Sequence, residues 1–143
     1  MRLTVFCVAL VPCLAACSSM TAISSPQAGT RMMIKEQSVT LPTTQKLRGT
    51  SFGNYEFQAR DGDAEPLYGI LPLKFKGGHL AVDILLFAPA AFFNLRAAFA
   101  FYEIDVANGV IRYKSKRSEA WNEYTPKPEE AERARNYYAG RSE

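Results

Sequence analysis

Histidine is scarce in this chain, and cysteine is confined to its start. One His in 143 residues leaves no room for a multi-histidine metal centre. The three cysteines, Cys7, Cys13 and Cys17, all precede Ser18. Everything after that point therefore lacks the thiols of a disulfide framework, a Cys nucleophile or a thiolate metal site. Neither sign of charge prevails. Lys and Arg number 17 against 14 Asp and Glu, a net charge of +3, too mild to point to nucleic acid as a partner. Internal repeats and low-complexity tracts are lacking as well, and no motif implies a cofactor. What is present is a globular composition, 48% hydrophobic and 22% charged, at a length that suits one domain.

Arg2 precedes an apolar run from Leu3 to Ala16 that only Thr4 interrupts. The run is too short to cross a bilayer comfortably but suits a secretory signal peptide. It ends in Leu14-Ala15-Ala16-Cys17, which resembles the lipobox of bacterial lipoproteins. That resemblance implies a diacylglycerol thioether on Cys17, cleavage after Ala16, and acylation of the new amino group, as by palmitate. Residues 1–16, with Cys7 and Cys13, then depart. At about 0.8 kcal/mol per buried methylene, two or three acyl chains make the anchor effectively permanent. Ser18 stands where Asp is the inner-membrane retention signal, so the resemblance implies the periplasmic face of the outer membrane. Residues 18–26, rich in Ser and small side chains with no apolar period, read as a flexible tether, completing a lipidated segment 17–26. Residues 27–143 then form a single periplasmic β-rich domain with a C-terminal helix.

Within that domain, Tyr55, Phe57 and Ala59 alternate onto one face of a strand that Asp61-Gly62-Asp63 ends. Leu71, Leu73 and Phe75 line one face of a next strand whose Pro72 suits a sheet edge. Residues 31–35 and 38–41 are weaker strand candidates. Asn108-Gly109 predicts a two-residue hairpin turn that pairs Val106 with Ile111, Asp105 with Arg112 and Glu103 with Lys114. Thr125-Pro126-Lys127-Pro128-Glu129-Glu130 reads as a helix start, with a Glu129–Arg133 ion pair and a stop at Gly140. The run from Leu80 to Phe101 is long enough for a membrane span. Asp83, Arg96, Asn94 and Pro89 bring its insertion energy to break-even or worse, since a central charge costs about 2.5–3.5 kcal/mol. It is expected instead as a buried helix broken near Pro89, with Phe92, Leu95 and Phe99 inward; an exposed docking patch and a membrane-inserted segment are the alternatives. The expected fold is α+β and mostly β: a small antiparallel sheet or sandwich with an apolar helical insertion (80–100) and a short C-terminal helix.

Ser25-Pro26-Gln27-Ala28-Gly29, Leu41-Pro42 and Gly53-Asn54-Tyr55-Glu56-Phe57, followed by Gly77-Gly78 and an apolar stretch with Asp83, resemble the PEGA-like modules of bacterial surface proteins and lipoproteins. The resemblance spans roughly residues 24–83. It departs in the order of Ala28 and Gly29, in lacking an Asp-Gly turn near Glu36-Gln37, and in lacking a Gly-Tyr pair after Arg60. It implies a small β-sandwich without catalytic residues and a scaffolding or interaction role.

Candidate chemistry is sparse. His79 and Asp83 share a helical spacing, but no Ser, Cys or second His completes a catalytic set. Asp61, Asp63 and Glu65 alternate as Ca²⁺ ligands could, without the length or the bidentate terminal acid of an EF-hand loop. Lys116 and Arg117 are left free on a basic ridge to meet an anionic surface, because the expected register neutralises Arg112 and Lys114. Trp121 and Tyr124 could stack a ligand ring. No catalytic residue, metal or cofactor is expected. The expected function is that of an outer-membrane-anchored periplasmic lipoprotein with a non-catalytic structural, assembly or interaction role. The alternative is a binding module for a glycan, a small ligand or a toxin, as in an immunity-type lipoprotein. The expected partners are the membrane, through the lipid on Cys17, and an envelope protein complex.

Overall fold

Alternating side chains set out most of the strands in a computed structural model that describes residues 18–49, 53–75 and 96–140. In chain order these are β1 (Ser18–Ser24), β2 (Arg31–Ile34), β3 (Gln37–Thr40), β4 (Thr43–Arg48), β5 (Glu56–Arg60) and β6 (Leu67–Ile70). Then come β7 (Leu73–Phe75), β8 (Arg96–Ala98), β9 (Phe101–Asp105), β10 (Val110–Lys114), β11 (Asn122–Tyr124) and the C-terminal helix α1 (Pro128–Ala139). Among the described residues, a five-stranded sheet runs β11-β10-β9-β1-β4, a four-stranded sheet runs β3-β2-β5-β6, and β7 pairs with β8. Ile23, Tyr102, Ile104 and Ile111 of the first sheet meet Met32, Phe57 and Ala59 of the second in one core, so the two sheets form a sandwich. The fold is mostly β with a short C-terminal helix, as expected.

The segment expected as a tether is strand β1, and it lies inside the larger sheet. It pairs antiparallel with β4, Ser18 opposite Arg48, and parallel with β9, Ala22 opposite Phe101. Its inward positions carry Thr21 and Ile23, both almost fully buried. Thr21 Oγ1 donates to the Phe99 carbonyl at 3.0 Å, so a buried hydroxyl is satisfied where an aliphatic would have announced a strand.

The β9–β10 hairpin forms, with a register two residues from the one expected. Ile111 faces Ile104, Arg112 faces Glu103, and Lys114 faces Phe101. A four-residue loop, 106–109, replaces the two-residue turn, and only Gly109 in it has positive φ, at 65°. Asp105 is the cause. Its carboxylate accepts from the Asn108 backbone N–H at 3.2 Å and from Asn108 Nδ2 at 2.8 Å, closing the wider loop. A shift of two preserves which side chains face inward, so the hydrophobic pattern accepts either register.

The expected helical insertion also meets a correction at its end. Residues 80–95 lie outside the described residues, and with them Phe92 and Leu95. Residues 96–98, however, are strand β8, paired with β7 as Phe75 opposite Arg96. Phe99 packs against the core, as expected, but from the link between two strands. Pro72 sits between β6 and β7. Its carbonyl accepts the buried Tyr102 hydroxyl at 2.5 Å, and that hydroxyl accepts the Phe99 N–H at 3.0 Å.

Helix α1 begins with Pro128, whose missing N–H costs nothing in a first turn, and Glu130 accepts the Lys127 N–H at 3.0 Å. It covers the outer face of the smaller sheet, burying Ala134 and Tyr138. The Tyr138 hydroxyl reaches the Met33 and Glu56 carbonyls at 3.0 and 2.9 Å. Arg133 pairs with Glu56 at 3.2 Å rather than with Glu129. Glu56 is only 6% exposed, and a carboxylate that far out of water gains more from a counter-ion than a solvated one does.

Candidate anionic-surface site

The outward face of the larger sheet is built in rows. Glu103, Arg112 and Glu123 lie abreast on β9, β10 and β11. Arg112 meets Glu103 at 2.6 Å, Glu123 at 3.2 Å and Asp105 at 3.5 Å, so three carboxylates surround one guanidinium. The hydrogen bonds it donates to Glu103 and then to Glu123 hold its pKa above the usual value. Asp105, accepting from Asn108 and from Gln27 Nε2 at 2.9 Å, is held below the usual carboxylate range. Each charged group in this row has a partner, and with three carboxylates to one guanidinium the row is net negative.

The next row is different. Lys114 faces Phe101, not Glu103, so the observed register frees a cation that the sequence reading neutralised. Its ammonium donates to the Arg117 carbonyl at 3.0 Å and lies 4.3 Å from the Trp121 ring centre. Arg117 lies over Phe101 at 5.9 Å. Lys116 and Arg117 are exposed, as the sequence suggested, in a loop organised by Glu119. That carboxylate accepts the Ser115 and Lys116 N–H groups at 2.8 and 3.1 Å, which lower its pKa. The charge of Glu119 is thus engaged in shaping the loop.

Strand directions gather more cations at this end, where β1 starts. Arg48 stands opposite Ser18, and Lys46 opposite Met20. Lys74 of β7 lies 5.8 Å from the Phe99 ring and close enough to Glu119 to lower its pKa. Among the described residues, none of Lys46, Arg48, Lys74, Lys114, Lys116 and Arg117 forms an ion pair with a carboxylate. Beside them stand Phe75, 77% exposed, and Met20, 63% exposed. An open cavity of about 400 Å³ lies between the β2–β3 turn and β4, lined in part by Lys35, Lys46, Arg48 and Tyr55. Phosphate-bearing ligands are the chemistry such a surface suits.

The remaining candidates do not converge. Trp121 points outward beneath Lys114, whereas Tyr124 packs against the core and donates its hydroxyl to Glu130. Burial, then Glu130, pushes that phenol up to about 12. The two rings therefore lie on opposite sides of β11 and offer no shared stacking platform. Asp61, Asp63 and Glu65 belong to the loop after β5, where Gly62 takes φ 52° and Ala64 N–H bonds the Asp61 carbonyl at 3.0 Å. Among the described residues, no group of three His, Cys, Asp or Glu side chains could hold a metal ion. Cys17, His79 and Asp83 lie outside the described residues.

The sequence alone does not reveal Lys46, Arg48 and Lys74 as members of the basic surface, and it places Lys114 on the ridge but neutralised by Glu103. They are scattered along the chain, and strand pairing alone unites them. Compared with known proteins, the chain matches no family model, no curated protein and no solved structure. Among the described residues, no helix is long and apolar enough to cross a membrane.

Proposed function

We propose that this chain is a lipoprotein anchored through Cys17 at the periplasmic face of the bacterial outer membrane, with a non-catalytic structural, assembly or interaction role. The observation that carries the reading is Leu14-Ala15-Ala16-Cys17 at the end of an apolar run that follows Arg2. The thiol is the lipid acceptor and the small residues before it admit the peptidase. The basic, partly apolar surface at the start of β1 supports the same reading, because it suits a neighbour rich in phosphate.

Metabolic labelling with a fatty-acid analogue tests the anchor. The parent should take up label and Cys17→Ser should not, and the variant should keep its uncleaved signal. Equal label on both removes the lipoprotein reading. Separation of inner and outer membranes then reads the compartment, with recovery in the outer-membrane fraction expected.

A further inference from the structure

Strand β1 starts at Ser18, the residue bonded to Cys17, so the body of the fold begins one residue after the proposed lipid. We infer that the end of the sandwich at which β1 starts rests directly on the bilayer, with Lys46, Arg48, Lys74, Lys114, Lys116 and Arg117 set against anionic phospholipid headgroups. The inference depends on acylation of Cys17.

Reach is the first argument. A residue spans at most about 3.6 Å, so a lipid on Cys17 leaves no slack between acyl chains and sheet. Arg48, paired with Ser18, is then within one screening length of the headgroups, about 8 Å at physiological salt. A tether of nine residues would have let the domain turn freely; a strand paired with β4 from Ser18 and with β9 from Ala22 does not.

Charge is the second. The six cations come from β4, β7, β10 and the loop after it, and pairing sets them at one end. Two acids stand near them: Glu119 is engaged by two backbone N–H groups, and Glu36 lines the cavity beside Lys46 and Arg48, where Lys35 adds a further cation. At the opposite end, acids predominate in the loop after β5, with Asp61, Asp63 and Glu65, and Asp105 closes the hairpin turn. An anionic surface attracts the first end and repels the loop at the second, so the field orients the molecule in the sense that the anchor imposes. Exposed apolar groups complete the match: Phe75 and Met20 stand among the cations, where insertion at the headgroup level would cover them.

The test uses the full chain, purified with its lipid and reconstituted into vesicles. Once Cys17 is acylated and residues 1–16 are removed, the protein has no free thiol, so one introduced Cys accepts one environment-sensitive fluorophore. Ser118→Cys reports on the basic loop, and Ala64→Cys on the opposite end. In vesicles containing phosphatidylglycerol, the Ser118 probe should shift to the blue and resist an aqueous quencher, while the Ala64 probe should do neither. Salt at about 1 M, where the screening length falls to about 3 Å, should restore quenching without any substitution. Lys116→Gln should shift the balance toward the quenched state about fivefold, the factor expected for one cation near an anionic surface.

Mass measurement of the N-terminal peptide separates the two ways to fail. An unacylated Cys17 overturns the anchor reading and this inference together. An acylated protein whose Ser118 probe is quenched as readily as its Ala64 probe overturns this inference alone. Quenching in vesicles but shielding in native envelopes would assign the surface to a protein partner and overturn the lipid.

Discussion

The two ends of this sandwich handle charge in opposite ways. At the hairpin-turn end, every charged group of the Asp105–Arg112 cluster answers another, and Gln27 ties the cluster to the chain before β2. At the end where β1 starts, cations lean on aromatic rings and carbonyls: Lys114 on Trp121 and the Arg117 carbonyl, Arg117 on Phe101, Lys74 on Phe99. The first arrangement satisfies itself and stabilises the fold. The second leaves positive charge facing outward, which adds little stability and suits an external anion. Under the proposed function the second end is the one that meets a partner, and substitutions at both ends test the contrast.

The largest effect is expected at Phe99, where the basic end joins the core. Its ring packs on Tyr113 at 4.5 Å and meets Tyr102 edge-on at 6.2 Å, beneath Lys74. Phe99→Ala should cost about 3 kcal/mol, the low end for an aromatic truncation because the ring is only partly buried. Urea unfolding of the parent and variant measures it. A loss below about 1 kcal/mol would mean that the basic end is loosely attached and that its charges do not hold fixed positions.

Asp105 comes next. Asp105→Asn keeps the shape but loses the charge that Asn108, Gln27 and Arg112 all engage, and should cost about 1.5–3 kcal/mol at neutral pH. The sign with pH follows from the lowered folded pKa. Its stabilisation is fully present above the ordinary carboxylate value of about 3.9, and disappears as pH falls through the lower folded value. The gap between parent and variant should therefore be constant above about pH 5 and close as the solution becomes more acid. A gap that widened below pH 4 would contradict the engagement of the Asp105 carboxylate.

Gly109→Val should cost about 1–2 kcal/mol, since a β-branched residue resists φ 65°. Open space surrounds the position, so the cost is conformational rather than steric. Asn108→Gly sharpens the point. A two-residue turn with positive φ at both positions would gain from Gly at 108, whereas the loop observed here loses the 2.8 Å bond from Asn108 Nδ2 to Asp105. Destabilisation by Asn108→Gly in thermal melts is the outcome expected.

Much of this was legible in the chain before its structure, and the gaps have physical causes. Alternation revealed the inward face of β5 and of the residue before it, with Tyr55, Phe57 and Ala59 all buried, and the proline–acid signal revealed α1. Strand β1 escaped because Thr21 fills an inward position with a hydroxyl whose partner, the Phe99 carbonyl, lies far along the chain. Strand β4 escaped because Leu47 is its one deeply buried apolar residue. The hairpin register escaped because a period of two cannot distinguish registers two apart, and a side-chain bond from Asp105 decides between them. That decision matters beyond the turn. It moves Lys114 from Glu103 to Phe101, and the basic surface grows with it.

The smallest effect is expected from the basic loop, and it bears most directly on the contrast between the two ends. Lys116 is exposed, forms no ion pair among the described residues, and sits where its backbone N–H, not its ammonium, holds Glu119. Lys116→Gln leaves that N–H in place. It should change stability by less than about 0.5 kcal/mol, the range of surface positions away from caps and networks. Melting curves at low and high salt make the comparison stricter. If like charge at this end strains the fold, removing one cation should raise the melting temperature slightly in low salt, and the gain should vanish once added salt screens the neighbours. A loss as large as that of Asp105→Asn would show that Lys116 is engaged in the fold as Asp105 is. The two ends would then differ in sign but not in purpose, and the outward charge would need no partner.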